Sequence, residues 1–359
     1  MAQRFQNGYS FSTMAQNINK APVFYPTEDD LAGPFESYIE KIEDELAEHG
    51  IGRIVPPKDW RPRHGGYERL DFISEQPIKQ HATGSKGFFR TVLVECKPTS
   101  ILKEFRPTAI APENQPSMAA LKDQSLLERE FWKKVLTSPP IYCADIPGTL
   151  FDANSWGWKM SDLDTILTRT LKKNGKNIPG VSSAYLYFGM WRSLFAWHTE
   201  DADLYSLNYL HFGAPKFWYS IAPEHRKRFE ILLQGTFPEL SRSCTEFLRH
   251  KELLVSPTIL QQNGIPFYRT MQYPGEFIVT FPGSYHSGFN CGFNCAESTN
   301  FATRAWIPFG KGSNACNCVS DSVRIDMSLF DEEANKTEEQ SIKDRRKLNA
   351  RKKRRRNNC

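Results

Sequence analysis

The fold is decided by residues 185–228, YLYFGMWRSLFAWHTEDADLYSLNYLHFGAPKFWYSIAPEHRKR. Within and beside this stretch, SSAYLYFG, SLNYLHF, KFWYSI, EFIVTF and STNFATRAWI are aromatic and β-branched runs bounded by Gly and Pro. Such runs read as strands of an antiparallel barrel or sandwich. A helix is expected near 223–234, with Phe229, Leu232 and Leu233 inward and Gly235 ending it. The sharpest chemical signal is Trp197-His198-Thr199-Glu200. Side chains alternate along a strand, so His198 and Glu200 share a face and can grip one metal ion. A bare His-x-Glu is a weak signal. His286, in FPGSYHSGFN, follows a strand and a Gly turn and is the best third ligand. Two imidazoles and one carboxylate leave three adjacent positions open, the arrangement of non-haem Fe(II) oxygenases.

Upstream, Val23 to Tyr25 reads as a short strand and Thr27 with Asp30 as a capping box. Phe35, Tyr38, Ile39, Ile42 and Leu46 recur at helical spacing, with Gly50 as a natural stop. Ile51 to Val55 reads as a returning strand. This unit is too small for a secure core of its own and is expected to dock on the larger domain. Residues 60–118, rich in Pro, Gly and Arg, are expected to be irregular with short strands. Ser125 with Glu128, and Ser161 with Asp164, read as starts of two further helices. The domain layout expected is a flexible N-terminus (1–20), the small αβ unit (21–60), a mixed αβ region supporting the barrel (61–180), the barrel (181–310), a C-terminal segment (311–330) and an acidic then basic disordered tail (331–359).

The chain has 359 residues with net charge +5, and 40% are hydrophobic, which excludes a mostly disordered or fibrous protein. Residues 343–356 hold ten Lys/Arg and one Asp, so the remainder carries −4. A basic tail of this kind suits nuclear targeting or phosphate contact. No apolar run approaches a membrane span, and MAQRFQNGYS lacks the core of a signal peptide. Eight cysteines without a secretory signal read as thiols and metal ligands. Cys316 and Cys318 form a tight pair beyond the barrel, Cys244 and His250 lie six apart, and Cys291 and Cys295 form a competing pair.

The long stretch 185–228, together with FPGSYHSGFN and NCAESTNFATRAW, resembles the jumonji C catalytic domain. APVFYP…IVPPKDW resembles the jumonji N module. Together they are similar to the jumonji histone demethylases that act on trimethylated lysine of histone H3, over about residues 20–330. The resemblance implies a mainly β fold with α: a double-stranded β-helix (cupin-like jelly roll) barrel with flanking helices and a small N-terminal αβ module. It implies Fe(II) held by His198, Glu200 and His286, and 2-oxoglutarate held by Lys216 and Tyr142. Asn208, Phe195 and Trp218 then line the cosubstrate pocket. Gly180, Tyr187, Glu200, Ser298 and Asn300 match an oxygen-rich cage for the methylammonium, with Tyr185 and Thr299 beside it. Cys244, His250, Cys316 and Cys318 match a structural Zn²⁺ site, which would pin the C-terminal segment.

The implied reaction oxidises an N-methyl group of a tri- or dimethyl-lysine and releases formaldehyde, carbon dioxide and succinate. Attack at carbon needs no nitrogen lone pair, so a quaternary amine is a feasible substrate. The expected partners are a methylated H3 tail, at lysine nine or thirty-six, and the nucleosome, with DNA reached through the basic tail; the expected location is the nucleus. The competing readings are a protein hydroxylase on the same barrel and a non-catalytic chromatin scaffold. The segment Asn154–Trp158 and the loop at Gly283-Ser284 depart from the family pattern and bear on peptide-side contacts.

Overall fold

The computed structural model describes residues 20–318 and 322–334. Most of the sequence expected as tail, from 335 on, and the N-terminal segment up to 19 lie outside the described residues.

Among the described residues a ten-stranded and a four-stranded sheet face each other, with a two-stranded ribbon at the side. The four-stranded sheet runs Tyr268–Gln272, Lys216–Ile221, Tyr285–Asn290, Leu194–His198. The large sheet has Tyr205–Gly213 and Asn294–Phe301 at its centre. The aromatic runs form the expected antiparallel strands, in the jelly-roll arrangement that the family resemblance implies, with the strands of EFIVTF and YLYFG falling at Phe277–Thr280 and Tyr185–Gly189. The run STNFATRAWI is strand only to Phe301; Thr303 then caps a turn of 3₁₀-helix at Arg304–Trp306, its hydroxyl accepting from the Ala305 amide.

The N-terminal unit is a βαβ crossover. Thr27 and Asp30 form the expected reciprocal capping box, and the Phe35–His49 helix ends at Gly50 with φ 71°, a left-handed turn that favours glycine. Val23–Phe24 and Ile51–Ile54 pair in parallel, as strands joined through a helix can. Ile51–Ile54 then pairs antiparallel with Phe277–Thr280, so the unit extends the barrel's own large sheet. Its helix shares the barrel's core: Phe35 meets Trp158 and Phe301 edge-on at 5.1 and 4.9 Å. Trp158 thus belongs to the joint between unit and barrel, and Ser284 of the other atypical loop donates to the Gly50 carbonyl at 2.7 Å. Both departures from the family pattern sit at this joint.

Four local expectations are corrected. Residues 78–95 are not irregular but form a hairpin of two eight-residue strands, Ile78–Ser85 and Phe88–Glu95. Its turn has Lys86 and Gly87 at positive φ, as tight hairpins require. The alternation is hidden in sequence because Val92, Leu93 and Val94 are all exposed. The helix expected from Ser125 is capped by Asp123, whose carboxylate accepts from the Ser125 and Leu126 amides; an Asp one residue before the helix outcompetes a Ser inside its first turn. The helix expected from Ser161 starts at Ile166, with Thr165 at its N-cap position and the Thr168 hydroxyl accepting from the Thr165 amide. The helix Arg226–Thr236 runs through Gly235 and stops where Pro238 begins the next, because the residue before proline avoids helical geometry.

Candidate active site

His198 ends the strand Leu194–His198, and His286 lies directly opposite it on Tyr285–Asn290. Between them and Phe195↔Gly288 the register slips by one residue, a bulge of the kind that re-aims a side chain. Gly288 is required there, since a Cβ would run into the Phe217 carbonyl oxygen. Glu200 follows in extended conformation, φ −66° and ψ 156°, so the alternation that places it beside His198 continues past the strand's end. The two imidazole rings lie 4.3 Å apart, and His286 Nε2 is 3.1 Å from Glu200 Oε1. One ligating atom from each of the three residues falls within 4.8 Å of the others.

The surrounding hydrogen bonds suit a metal. His198 Nδ1 faces the Ala196 carbonyl at 2.7 Å. A carbonyl only accepts, so Nδ1 carries the proton and Nε2 keeps its lone pair for the cluster. Asn300 Nδ2 donates to Glu200 Oε2 at 3.1 Å, which fixes the carboxylate while Oε1 faces His286. Burial, then the His286 charge, holds the His198 imidazole well below its usual pKa. Burial pushes Glu200 upward, but the hydrogen bond from His286 and the electrostatic pull of His286 and Lys251 outweigh it and keep it ionised. An ionised Glu200 and an unprotonated His198 Nε2 are the states in which these two groups can ligate a divalent ion.

Lys216 opens the strand run KFWYSI. It is the first residue of the strand Lys216–Ile221 and 2% exposed. Its Nζ donates to the Tyr142 hydroxyl at 3.0 Å. The rings of Phe195, Tyr142 and Trp218 lie within 5.0–5.8 Å of it, and no carboxylate pairs with it among the described residues. Burial lowers it to about 7. A buried ammonium with one neutral partner invites an anion. Trp218 is pinned by Gln272, which also donates to Asn208 Oδ1 at 3.1 Å.

His198, Glu200, His286, Tyr142, Phe195, Asn208, Lys216 and Trp218 line one cleft of about 540 Å³. Its far wall carries Gly180, Tyr185, Tyr187, Ser298, Thr299 and Asn300. Ser298 donates to the Leu207 carbonyl and Thr299 to the Val181 carbonyl, so their hydroxyl oxygens stay free to accept. The wall is therefore rich in oxygen acceptors.

Residues 185–301 match the family described as the JmjC domain, hydroxylase, and residues 22–56 match the jmjN domain. The chain is a JmjN/JmjC-domain protein. It is 46% identical over 318 residues to lysine-specific demethylase 4B of Mus musculus, covering 88% of this chain and 29% of the relative. It is 44% identical over 321 residues to lysine-specific demethylase 4D of Rattus norvegicus, covering 89% and 62%. With probable lysine-specific demethylase 4F of Homo sapiens the identity is 45% over 308 residues, covering 86% and 48%. The chain thus spans less than two thirds of each of these relatives.

Behind the JmjC cleft, Cys244, His250, Cys316 and Cys318 bring four ligating atoms within 4.8 Å of one another. Cys244 Sγ and Cys316 Sγ are 3.7 Å apart. Tetrahedral Zn–S bonds place two sulfurs about 3.8 Å apart, so the donor set fits that ion. Burial acts upward on Cys316, but the Cys318 amide and side-chain contacts to His250, Cys318 and Cys244 bring it down to about 7, close to the thiolate a metal requires. The competing pair is not in this cluster: Cys291 and Cys295 are buried in the barrel, Cys291 against Met271.

Sequence reasoning missed Lys251, Asp145 and Gln80, which also line the JmjC cleft. Lys251 adopts positive φ on a loop, and Asp145 does so inside the strand Ile141–Pro147, where its register with Tyr185–Gly189 shifts; neither carries a motif. Gln80 bonds both backbone groups of Leu194 from the hairpin that read as irregular.

Proposed function

We propose that this chain is an Fe(II)- and 2-oxoglutarate-dependent lysine demethylase acting on methylated histone tails. The observation that carries the reading is the meeting in one cleft of a His–Glu–His cluster and a buried, carboxylate-free lysine. The cluster fits a divalent ion with open positions, and Lys216 with Tyr142 fits the distal carboxylate of a keto-diacid. With iron, 2-oxoglutarate and dioxygen bound, the site supplies an oxidant able to hydroxylate a C–H bond.

The protein's own contributions follow from the geometry. Lys216 and Tyr142 fix the cosubstrate's far end, and the Phe195 and Trp218 rings exclude water from it. Asn300 and the Ala196 carbonyl hold Glu200 and His198 in ligating orientation. Oxygen acceptors at Tyr187, Ser298, Asn300 and the Gly180 backbone receive weak C–H···O contacts from polarised N-methyl groups, which aims a methyl at the metal without boxing the cation in aromatic faces. Hydroxylation gives a carbinolamine, which loses formaldehyde as its hydroxyl proton returns to nitrogen; the cosubstrate leaves as succinate and carbon dioxide.

The proposed substrate is tri- or dimethylated lysine of the H3 tail, at lysine nine or thirty-six, and the −4 charge of the body suits a basic peptide. Zn²⁺ is proposed at Cys244, His250, Cys316 and Cys318. We place the protein in the nucleus, with residues 343–356 supplying targeting and DNA contact; deleting 343–359 should spare peptide demethylation and reduce nuclear retention. The decisive assay is mass spectrometry of methylated H3 peptides with Fe(II), ascorbate and 2-oxoglutarate. Loss of methyl groups with matching formaldehyde is expected, and His198→Ala should abolish both while the fold and zinc content survive. A product that gains one oxygen and releases no formaldehyde would instead establish a hydroxylase.

A further inference from the structure

We propose that Arg249, with Asp203 and Arg226, is a positioning clamp that sets the backbone of Glu200 and couples the iron site to the cysteine–histidine site. The inference rests on the function proposed above and concerns how its metal ligand is held.

Glu200 leads into an improbable turn. Ala202 and Asp203 are consecutive non-glycine residues with φ 51° and 50°. Left-handed geometry is unfavourable for side chains and persists only where the surroundings impose it. Here the imposing contacts are identifiable. The Glu200 carbonyl accepts from the Asp203 amide at 2.9 Å and from Arg249 Nη1 at 3.1 Å. Arg249 Nη2 donates to Asp203 Oδ1 at 3.0 Å and to Ser313 Oγ at 2.8 Å. Arg226 Nη1 takes the other oxygen, Asp203 Oδ2, at 2.6 Å. Trp306 Nε1 donates to the Ala202 carbonyl at 2.9 Å. The Arg249 and Asp203 side chains are 8% and 4% exposed, so solvent does little to screen the pair.

The clamp's origin gives it a second consequence. Arg249 immediately precedes His250, and Ser313 lies three residues before Cys316. One planar guanidinium therefore touches both chain segments that the cysteine–histidine cluster joins, and also the backbone of Glu200. A lysine could not make the same forked set of bonds. Opening the Cys–His cluster would separate those segments, withdraw Arg249 from the turn and let Glu200 leave its ligating position. Because binding free energies couple reciprocally, occupancy of the His–Glu–His site must equally strengthen the hold on zinc.

Arg249 touches no reacting atom, so the test reads metal binding. Mn(II) is the probe, because thiolates select zinc and disfavour it; its binding to the zinc-replete full chain is followed by electron paramagnetic resonance. Wild type should bind Mn(II), and Glu200→Ala should not. Arg249→Gln should weaken Mn(II) by about tenfold or more, the scale of a lost hydrogen-bond set from a charged group, with Arg249→Lys in between. Zinc content should stay stoichiometric, and 2-oxoglutarate affinity at saturating Mn(II) should not move. In wild type, release of zinc to a chromogenic chelator should slow several-fold when Mn(II) is present, and Arg249→Gln should lose that slowing. If Arg249→Gln does not fold, the wild-type zinc-release measurement and Arg226→Gln decide. Mn(II) affinity unchanged in a zinc-replete clamp variant, or zinc release indifferent to Mn(II) in wild type, overturns the clamp. Failure of wild type to bind Mn(II) overturns the iron-site reading itself.

Discussion

The buried lysine makes the cosubstrate's affinity depend on pH in a calculable way. In the free protein Lys216 titrates at about 7, because burial disfavours the ammonium. Binding a dianion at this position requires the charged form. Above 7 the lysine is increasingly neutral and binding must restore its one proton, so affinity falls; below 7 the lysine is already charged and affinity is flat. The ratio of charged fractions makes binding about tenfold weaker at pH 8 than at pH 6. The linked stability effect has the matching sign. The folded pKa lies below the unfolded one, so the unfolded chain binds more protons between about 7 and 10.5, and the ligand-free protein gains stability as pH rises through that window. The assay is calorimetric titration of 2-oxoglutarate into Mn(II)-saturated protein from pH 6 to 8.5, so that protonation of the metal ligands does not intrude. Lys216→Arg, which keeps its charge throughout, should flatten the profile even where it weakens binding. A flat wild-type profile would refute the argument that this lysine's proton is supplied at the cost of binding.

Three further outcomes follow from the contacts. Tyr142→Phe removes the one hydroxyl bonded to Lys216 Nζ; a hydrogen bond to a charged group is worth about 1.5–3 kcal/mol, so the KM for 2-oxoglutarate should rise at least tenfold while peptide KM holds. Phe35→Ala, in the N-terminal helix, should destabilise the whole domain by about 3–5 kcal/mol in one denaturation transition, because that ring packs on Trp158 and Phe301; a separate early transition would show the unit to be independent. Cys316→Ser should release zinc and lower the melting temperature, since Cys316 contacts Cys244, His250 and Cys318; an unchanged melt would remove the cluster's structural role.

What the sequence shows and hides divides by the range of the interaction. Strand runs such as KFWYSI are legible because both faces are buried, and a continuous apolar run reports that directly. His198 and Glu200 are legible because alternation is a local rule. His286 could be chosen only because a strand and a glycine turn frame it. By contrast, Asp123, Thr165 and the stop after Gly235 turn on competition between neighbouring caps, where a one-residue choice leaves little trace in the pattern. The hairpin at 78–95 is hidden because Val92, Leu93 and Val94 are apolar and exposed on both faces of its strand, which erases the alternation that marks a half-buried strand. The Cys–His quartet follows from the resemblance; spacing alone leaves Cys291 and Cys295 as rivals, and the convergence of Cys244, His250, Cys316 and Cys318 on one point is what separates the two sets.

The division of labour between the two sheets explains why the site needs both. The four-stranded sheet supplies His198, His286, Lys216 and Trp218, so metal and cosubstrate share one rigid, doubly packed scaffold. The large sheet supplies Tyr142, Tyr187, Ser298 and Asn300, which in the proposed function are the far anchor of the cosubstrate and the wall facing the methyl groups. Glu200 belongs to neither: it lies beyond its strand, tied to the large sheet through Asn300 and to the Cys–His segment through Arg249. The carboxylate is therefore the ligand whose position reports on the whole domain. Perturbations far from the cleft should reach metal affinity through Glu200 before they reach cosubstrate affinity through Lys216. Substitutions at the joint with the N-terminal unit test that order: one that weakened 2-oxoglutarate while leaving Mn(II) binding intact would reverse it.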